Sequence, residues 1–184
     1  MGELEYLFKH ALAQEAAYNS ILPPHRKKLH LKIAYSIEII FFEKIHEFYG
    51  MLAYHYSRAE NLEKAEEYLI LAGEEALKAS ASSEALNFYQ QALSIYLKIY
   101  GQAADPEKKT MLEKNIALVL FNRGQYVEAA NYFDKVLSYY GVRTPKNMIT
   151  AIVKGIIDFF DFLRSLYLPI FKWKKILLKK IMKF

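Results

Sequence analysis

Arg123-Gly124-Gln125-Tyr126-Val127-Glu128-Ala129-Ala130-Asn131-Tyr132-Phe133 is a tight turn followed by the opening of a helix. Ala129 is small, and the aromatic Phe133 stands four positions on. On a helix those two positions share a face. A small residue beside a large one is how two antiparallel helices are brought close together. The pattern occurs twice more, as Asn61-Leu62-Glu63-Lys64-Ala65-Glu66-Glu67-Tyr68-Leu69 and as Ser82-Ser83-Glu84-Ala85-Leu86-Asn87-Phe88-Tyr89. Internal repetition of a supersecondary unit governs the whole architecture, because each unit buries its apolar face only against its neighbours.

Helical periodicity and capping residues divide the rest of the chain. Residues 9–21 read as a helix stopped by Pro23-Pro24, since the residue before a proline is pushed out of the helical region. Pro24 then opens a second helix to about residue 44, with Leu29, Ile33, Ile37, Ile40 and Phe41 as its apolar stripe. Five further helices are expected over residues 47–58, 62–79, 83–100, 107–122 and 126–140. Asn61, Ser82 or Ser83, and Asp105 stand where N-caps belong, and Gly101 and Gly141 where C-terminal glycines belong. Leu4 to Phe8 could form a short strand. Thr144-Pro145 starts one more helix, apolar around most of its circumference, with Lys154, Asp158, Asp161 and Ser165 as a narrow polar stripe and Pro169 as its kink or end. The expected fold is all-α. Antiparallel helix pairs stack as a right-handed array over residues 47–141, preceded by a lead-in segment, 1–46, and followed by an apolar helix and Lys-rich tail, 142–184.

The 184 residues are 53% hydrophobic, enough for a core, and include 15 Tyr and 12 Phe. There is no Cys, which excludes disulfides and thiolate metal sites. The net charge of +5 is an uneven sum. Residues 1–141 carry 15 Lys/Arg and 18 Asp/Glu, and residues 142–184 carry 10 and 2. The basic character therefore belongs to the tail. No apolar run reaches the roughly 18–20 residues of a membrane span. The N-terminus has neither the basic nor the apolar region of a secretory signal. The expected location is the cytoplasm, or its membrane periphery if the tail binds lipid.

The helix pairs resemble tetratricopeptide repeats, whose unit is about 34 residues. Ile116-Ala117, Gly124, Tyr126, Ala129, Phe133 and Val136 fit that pattern, as do Leu52-Ala53, Tyr56, Leu62, Ala65, Leu69 and Ala72. Ala65 and Ala85 are only 20 positions apart, so the helix over 62–79 serves two pairs, and the 44 positions from Ala85 to Ala129 place extra length near Gln102–Pro106. Upstream, Phe8-Lys9-His10-Ala11-Leu12, Gln14-Glu15-Ala16-Ala17-Tyr18 and His25-Arg26-Lys27-Lys28-Leu29-His30 are similar to a segment of large bacterial signal-transduction ATPases. Those proteins join a cyclase, kinase or DNA-binding module to an ATPase, a winged helix and then helical repeats. The resemblance implies a sensory or assembly scaffold, with residues 1–46 corresponding to the end of the winged helix and a linker helix. The phosphate loop Gly-x-x-x-x-Gly-Lys-Ser/Thr does not occur here, so ATP hydrolysis does not carry over.

No metal or cofactor is expected. His25 and His30, five apart, and His46 and His55, nine apart, lack the spacing of a helix-borne zinc site. His10 and His30 are expected to cap or hydrogen-bond within the lead-in segment. Glu66-Glu67 and Glu74-Glu75 point in different directions on a helix and do not form a hydrolytic pair. A non-enzymatic protein is the resulting expectation. Arg26-Lys27-Lys28 at a helix start opposes the dipole and calls for an acidic neighbour. Helical register puts Tyr54, Arg58, Glu74, Lys78, Lys114, Phe121 and Asn122 on the candidate groove for a protein or peptide partner. The tail offers Lys172, Lys175, Lys179 and Lys183 beside Trp173, Leu177, Ile181 and Phe184, a pattern suited to an anionic membrane surface or an acidic partner; the alternative is that residues 148–171 cap the repeats, or are left by truncation of a longer array, and the Lys-rich end is a solvated tail. Nucleic acid is disfavoured by the net acidic body.

Overall fold

Each of the three quoted joins is closed by the same set of backbone hydrogen bonds. The computed structural model describes residues 11–142, 152–153 and 155–164. Its helices are α1 (Ala11–Ser20), α2 (Pro23–Ile40), α3 (Tyr49–Arg58), α4 (Leu62–Lys78), α5 (Ser82–Tyr100), α6 (Pro106–Asn122) and α7 (Tyr126–Tyr139), with a 3₁₀ stretch, Phe42–Phe48, between α2 and α3. From α2 onward each helix packs on the next in chain order. No strand occurs among the described residues. The architecture is an all-α, tetratricopeptide-like array of antiparallel pairs.

After α3, α4 and α6 the chain turns through a left-handed residue: Glu60 at φ 60°, Ser80 at φ 60° and Gly124 at φ 77°. The next amide then reaches back five positions, Asn61 N–H to Tyr56 O at 3.0 Å, Ala81 to Ala76 at 2.8 Å and Gln125 to Leu120 at 2.9 Å. This is the Schellman closure, which satisfies the last carbonyls of a helix while reversing the chain. Four residues on stand Ala65, Ala85 and Ala129, exposed by 0%, 0% and 1%. The small side chains sit at the helix crossings that the sequence pattern requires.

Details of capping differ from expectation. Asn61 does cap α4, its carboxamide accepting the Lys64 amide at 3.3 Å, and Asp105 caps α6 through the Glu107 amide at 3.1 Å. Neither Ser82 nor Ser83 caps α5. Ala81 is the cap residue, without a side-chain bond, because the Schellman turn has already fixed it there. The Ser83 hydroxyl instead accepts from Arg123 of the third turn at 2.7 Å.

The core holds Leu52, Tyr56, Tyr89, Leu112, Ile116 and Val119, all fully buried. The middle helix α4 is buried on two sides, by α3 and by α5. Gly73 makes the second contact possible. A Cβ there would lie 2.8 Å from the Tyr89 ring, so α4 and α5 meet more closely than any side chain at that position permits. Tyr56 and Tyr68 stack in parallel, ring centroids 5.6 Å apart, and the Tyr68 hydroxyl donates to Glu38 of α2.

The connection from α5 to α6 is built differently. Gly101 (φ 50°) starts a short 3₁₀ turn, Gly101–Ala103, and side chains from other helices hold the rest. The Tyr96 hydroxyl accepts the Asp105 amide at 2.8 Å. Lys108 reaches across α5 to Glu66 of α4 at 2.8 Å, its ammonium 5.0 Å from the centre of the Tyr96 ring. Glu66 is buried, and its Oε1 has no hydrogen-bond partner among the described residues.

The stripe expected on α2 is buried only at Ile37, which faces inward with His30 and Ala34, while Leu29, Ile33, Ile40 and Phe41 are exposed. The fully buried Ala34 shows why: the side facing α3 must be narrow. The helix also ends at Ile40 rather than near residue 44, giving way to the 3₁₀ stretch with its non-helical Lys44. The acidic neighbour needed by Lys27 is Glu60, with which it forms an ion pair.

Residues 1–139 form one compact unit and 140–184 a second. In the second, residues 155–164 are helical and Ile156, Ile157, Phe159 and Phe160 are each more than half exposed. No helix among the described residues is long and apolar enough to cross a membrane. The expected strand at Leu4 to Phe8, His10, the Thr144-Pro145 helix start, Pro169 and the tail residues Lys172 to Phe184 lie outside the described residues.

Candidate functional site

The side of the array where α3 and α5 approach one another carries a groove of about 240 Å³, lined by Gly50, Ala53, Tyr54, Ser57, Leu69, Phe88 and Gln91. Its shape follows from residue size. Gly50 and Ala53 leave α3 without bulk on this side, and a Cβ at Gly50 would stand 3.1 Å from the Phe88 ring. Leu69 of α4 closes the bottom and is nearly inaccessible. Tyr54, Ser57 and Gln91 give the rim hydrogen-bonding groups and remain exposed.

Tyr54 is fixed from behind by charged and aromatic neighbours. The Arg58 guanidinium lies 5.3 Å from the centre of its ring. The His30 and His55 imidazoles meet it edge-on at 5.8 and 5.3 Å. These two histidines are themselves bonded, Nδ1 to Nδ1 at 2.9 Å, and Nε2 of His30 lies 3.0 Å from the Tyr18 hydroxyl of α1. Burial, then Arg58 and Arg26, hold the His30 pKa below the ordinary imidazole value. Burial and then His30 itself do the same to His55. Both rings are therefore neutral at neutral pH.

Of the residues placed on the groove by register, Tyr54 lines it and Arg58 supports Tyr54. Glu74 and Lys78 are exposed on α4, where Lys78 pairs with Glu75 at 3.0 Å. Lys114, Phe121 and Asn122 are exposed on α6, and Phe121 meets Tyr126 edge-on at 5.4 Å. Neither group is part of the groove lining. Register along single helices missed Gly50, Leu69, Phe88 and Gln91, because the groove arises where three helices meet. Phe88 had a usable signal, since it directly precedes Tyr89 at the repeat's aromatic position. The His30–His55 pair was hidden by a separation of 25 residues; its trace was a histidine on the narrow inward face with Ala34 and Ile37.

Among the described residues no group of three or more His, Cys, Asp or Glu could hold a metal ion. The His30 site also has Arg26 and Arg58 acting on it, which opposes a cation.

Residues 115–140, comprising the C-terminal part of α6, the third turn and α7, match the tetratricopeptide repeat family model. This stretch is a tetratricopeptide-type segment. An uncharacterized protein of Rhizobium meliloti (strain 1021) is 34% identical over 102 residues, which is 51% of this chain and 9% of that relative. The chain thus spans about a tenth of the relative's length. No solved structure matches the chain.

Proposed function

We propose that the chain is a non-enzymatic protein–protein interaction scaffold that docks a peptide segment in the α3–α5 groove. The groove carries this reading. Its 240 Å³ falls below the roughly 300–1,000 Å³ of small-molecule sites and suits one large side chain of a partner, with rim groups for the partner's backbone. The tetratricopeptide-type segment supports a binding role, since repeat arrays present extended concave surfaces to partners. A sensory or assembly role related to multidomain signalling ATPases, with residues 1–46 as the lead-in to the repeats, is part of the same reading. The motif resemblance of residues 8–30 motivates that part of the reading.

The test is a peptide array probed with purified protein, followed by titration of the best peptides. Ser57→Arg and Gln91→Arg fill the rim from exposed positions. Each should abolish binding while leaving the melting temperature unchanged; binding unaffected by both would refute the groove.

The second reading, a membrane-peripheral adaptor, rests on the exposed Ile156, Ile157, Phe159 and Phe160 together with the Lys-rich tail. Vesicle sedimentation with neutral and anionic lipids, for the full chain and a version ending at Pro169, tests it. Equal and negligible sedimentation of both proteins with anionic vesicles removes it.

A further inference from the structure

We propose that His30 and His55 form a proton-operated latch, in which protonation of both rings breaks their mutual hydrogen bond, frees α1 and unseats Tyr54 in the groove. As regulation of that groove, the inference rests on the docking reading above.

The geometry limits how many protons the pair can hold. Two nitrogens 2.9 Å apart share one hydrogen, so one ring donates and the other accepts. With both rings neutral, either direction is allowed. If His30 donates, its bare Nε2 accepts from Tyr18; if His55 donates, His30 carries its hydrogen on Nε2 and donates to Tyr18. One added proton is also accommodated. His30 then bears hydrogens on both nitrogens and donates to His55 and to Tyr18. The second added proton is different. Both Nδ1 atoms then carry hydrogen, the acceptor is gone, and two positive rings face one another with centroids 5.1 Å apart.

The surroundings oppose that charge. Facing the pair are Tyr18 from α1, Arg26 from α2, and Tyr54 and Arg58 from α3. The charged groups acting on His30 are the two arginines, both of the same sign as the imidazolium. Both histidines titrate below their ordinary value of about 6.5, so the latch is closed at neutral pH and opens only below the ordinary histidine value.

Two parts of the molecule depend on it. Tyr18 is the one residue of α1, among those whose side chains are described, that is partly buried, and its hydroxyl holds His30. Tyr54 has both imidazole edges against its ring and lines the groove. Opening the pair therefore acts on the anchor of α1 and on the groove at once.

The experiment is an NMR titration of the full chain from about pH 8 to about pH 4, across and below the ordinary histidine range, following imidazole and tyrosine ring resonances. Both histidines should titrate below the ordinary value in separate steps. The Tyr54 and Tyr18 ring resonances should move with the second step, and α1 amides should lose hydrogen-exchange protection. His55→Gln keeps a hydrogen-bond partner for His30 but removes the second charge, so the Tyr54 shift should vanish. Tyr18→Phe should uncouple α1 while the Tyr54 shift remains. Histidines titrating at the ordinary value, or titrating with Tyr54 and Tyr18 unmoved, would overturn the latch. No peptide is needed for this readout, so a failure of the groove in the peptide assay is distinguished from a failure of the latch.

Discussion

The turns after α3, α4 and α6 are closed by their own backbone, whereas the connection from α5 to α6 is closed by side chains from α4, α5 and α6. In the first group, one left-handed residue and two short-range amide bonds do the work, and the residue at the bend can be Glu60, Ser80 or Gly124. In the second, Tyr96, Asp105, Lys108 and Glu66 all take part, and Lys108 and Glu66 lie 42 positions apart. A self-contained turn tolerates sequence variation and recurs visibly. A turn built from distant side chains depends on particular residues and leaves no repeated trace.

Substitutions separate the two kinds of closure. The largest effect is expected for Lys108→Met. It leaves the Glu66 carboxylate buried without its cation, and breaking a buried pair from one side costs about 3 kcal/mol. Denaturant unfolding should show that loss, and Glu66→Gln in the same background should recover part of it; no loss would mean that the bridge does not hold the connection. Next comes Ala129→Leu, at the crossing after a self-contained turn, where overpacking costs about 1–3 kcal/mol. Ala17→Leu on the exposed side of α1 is the control and should change stability by less than about 0.5 kcal/mol.

Tyr96→Phe removes the acceptor for the Asp105 amide, a loss of about 1 kcal/mol. It should also speed hydrogen exchange at Asp105 more than at Asn61, Ala81 or Gln125; equal effects at all four would erase the distinction between closures. An effect of opposite sign is expected for Ser80→Gly, which relieves a left-handed non-glycine residue and should raise stability by up to about 1 kcal/mol. Gly124→Ala should move stability the other way by a similar amount.

The same distinction decides what was legible in the sequence. The three joins announced the antiparallel pairs, because turn, small residue and large residue are all local. The sharing of α4 between two pairs followed from the short spacing of Ala65 and Ala85. The inward face of α2 was legible at Ile37 and misjudged elsewhere, since hydrophobicity favoured Leu29, Ile33 and Ile40 where packing favoured Ala34. The groove was legible at Tyr54 alone. Its remaining residues come from three helices, and one-dimensional periodicity carries no information about which faces meet. Ser82 and Ser83 looked like caps by residue type, but the preceding turn had already set the start of α5 at Ala81.

The stacked pair of Tyr56 and Tyr68 over Glu38 has an optical consequence. Burial, followed by the Glu38 carboxylate, pushes both phenols well above their ordinary value, and Tyr89 is pushed up to about 12 by burial and then Glu74. In the unfolded chain all three lose their protons near pH 10. A folded pKa above the unfolded one stabilises below the unfolded value and ceases to do so as pH rises through the folded one. During an alkaline ramp these three phenols should therefore develop tyrosinate absorbance late, in an abrupt step that coincides with loss of helical circular dichroism. The junction of α2, α3, α4 and α5 thus carries its own chromophores, and base reports on its integrity without any added label.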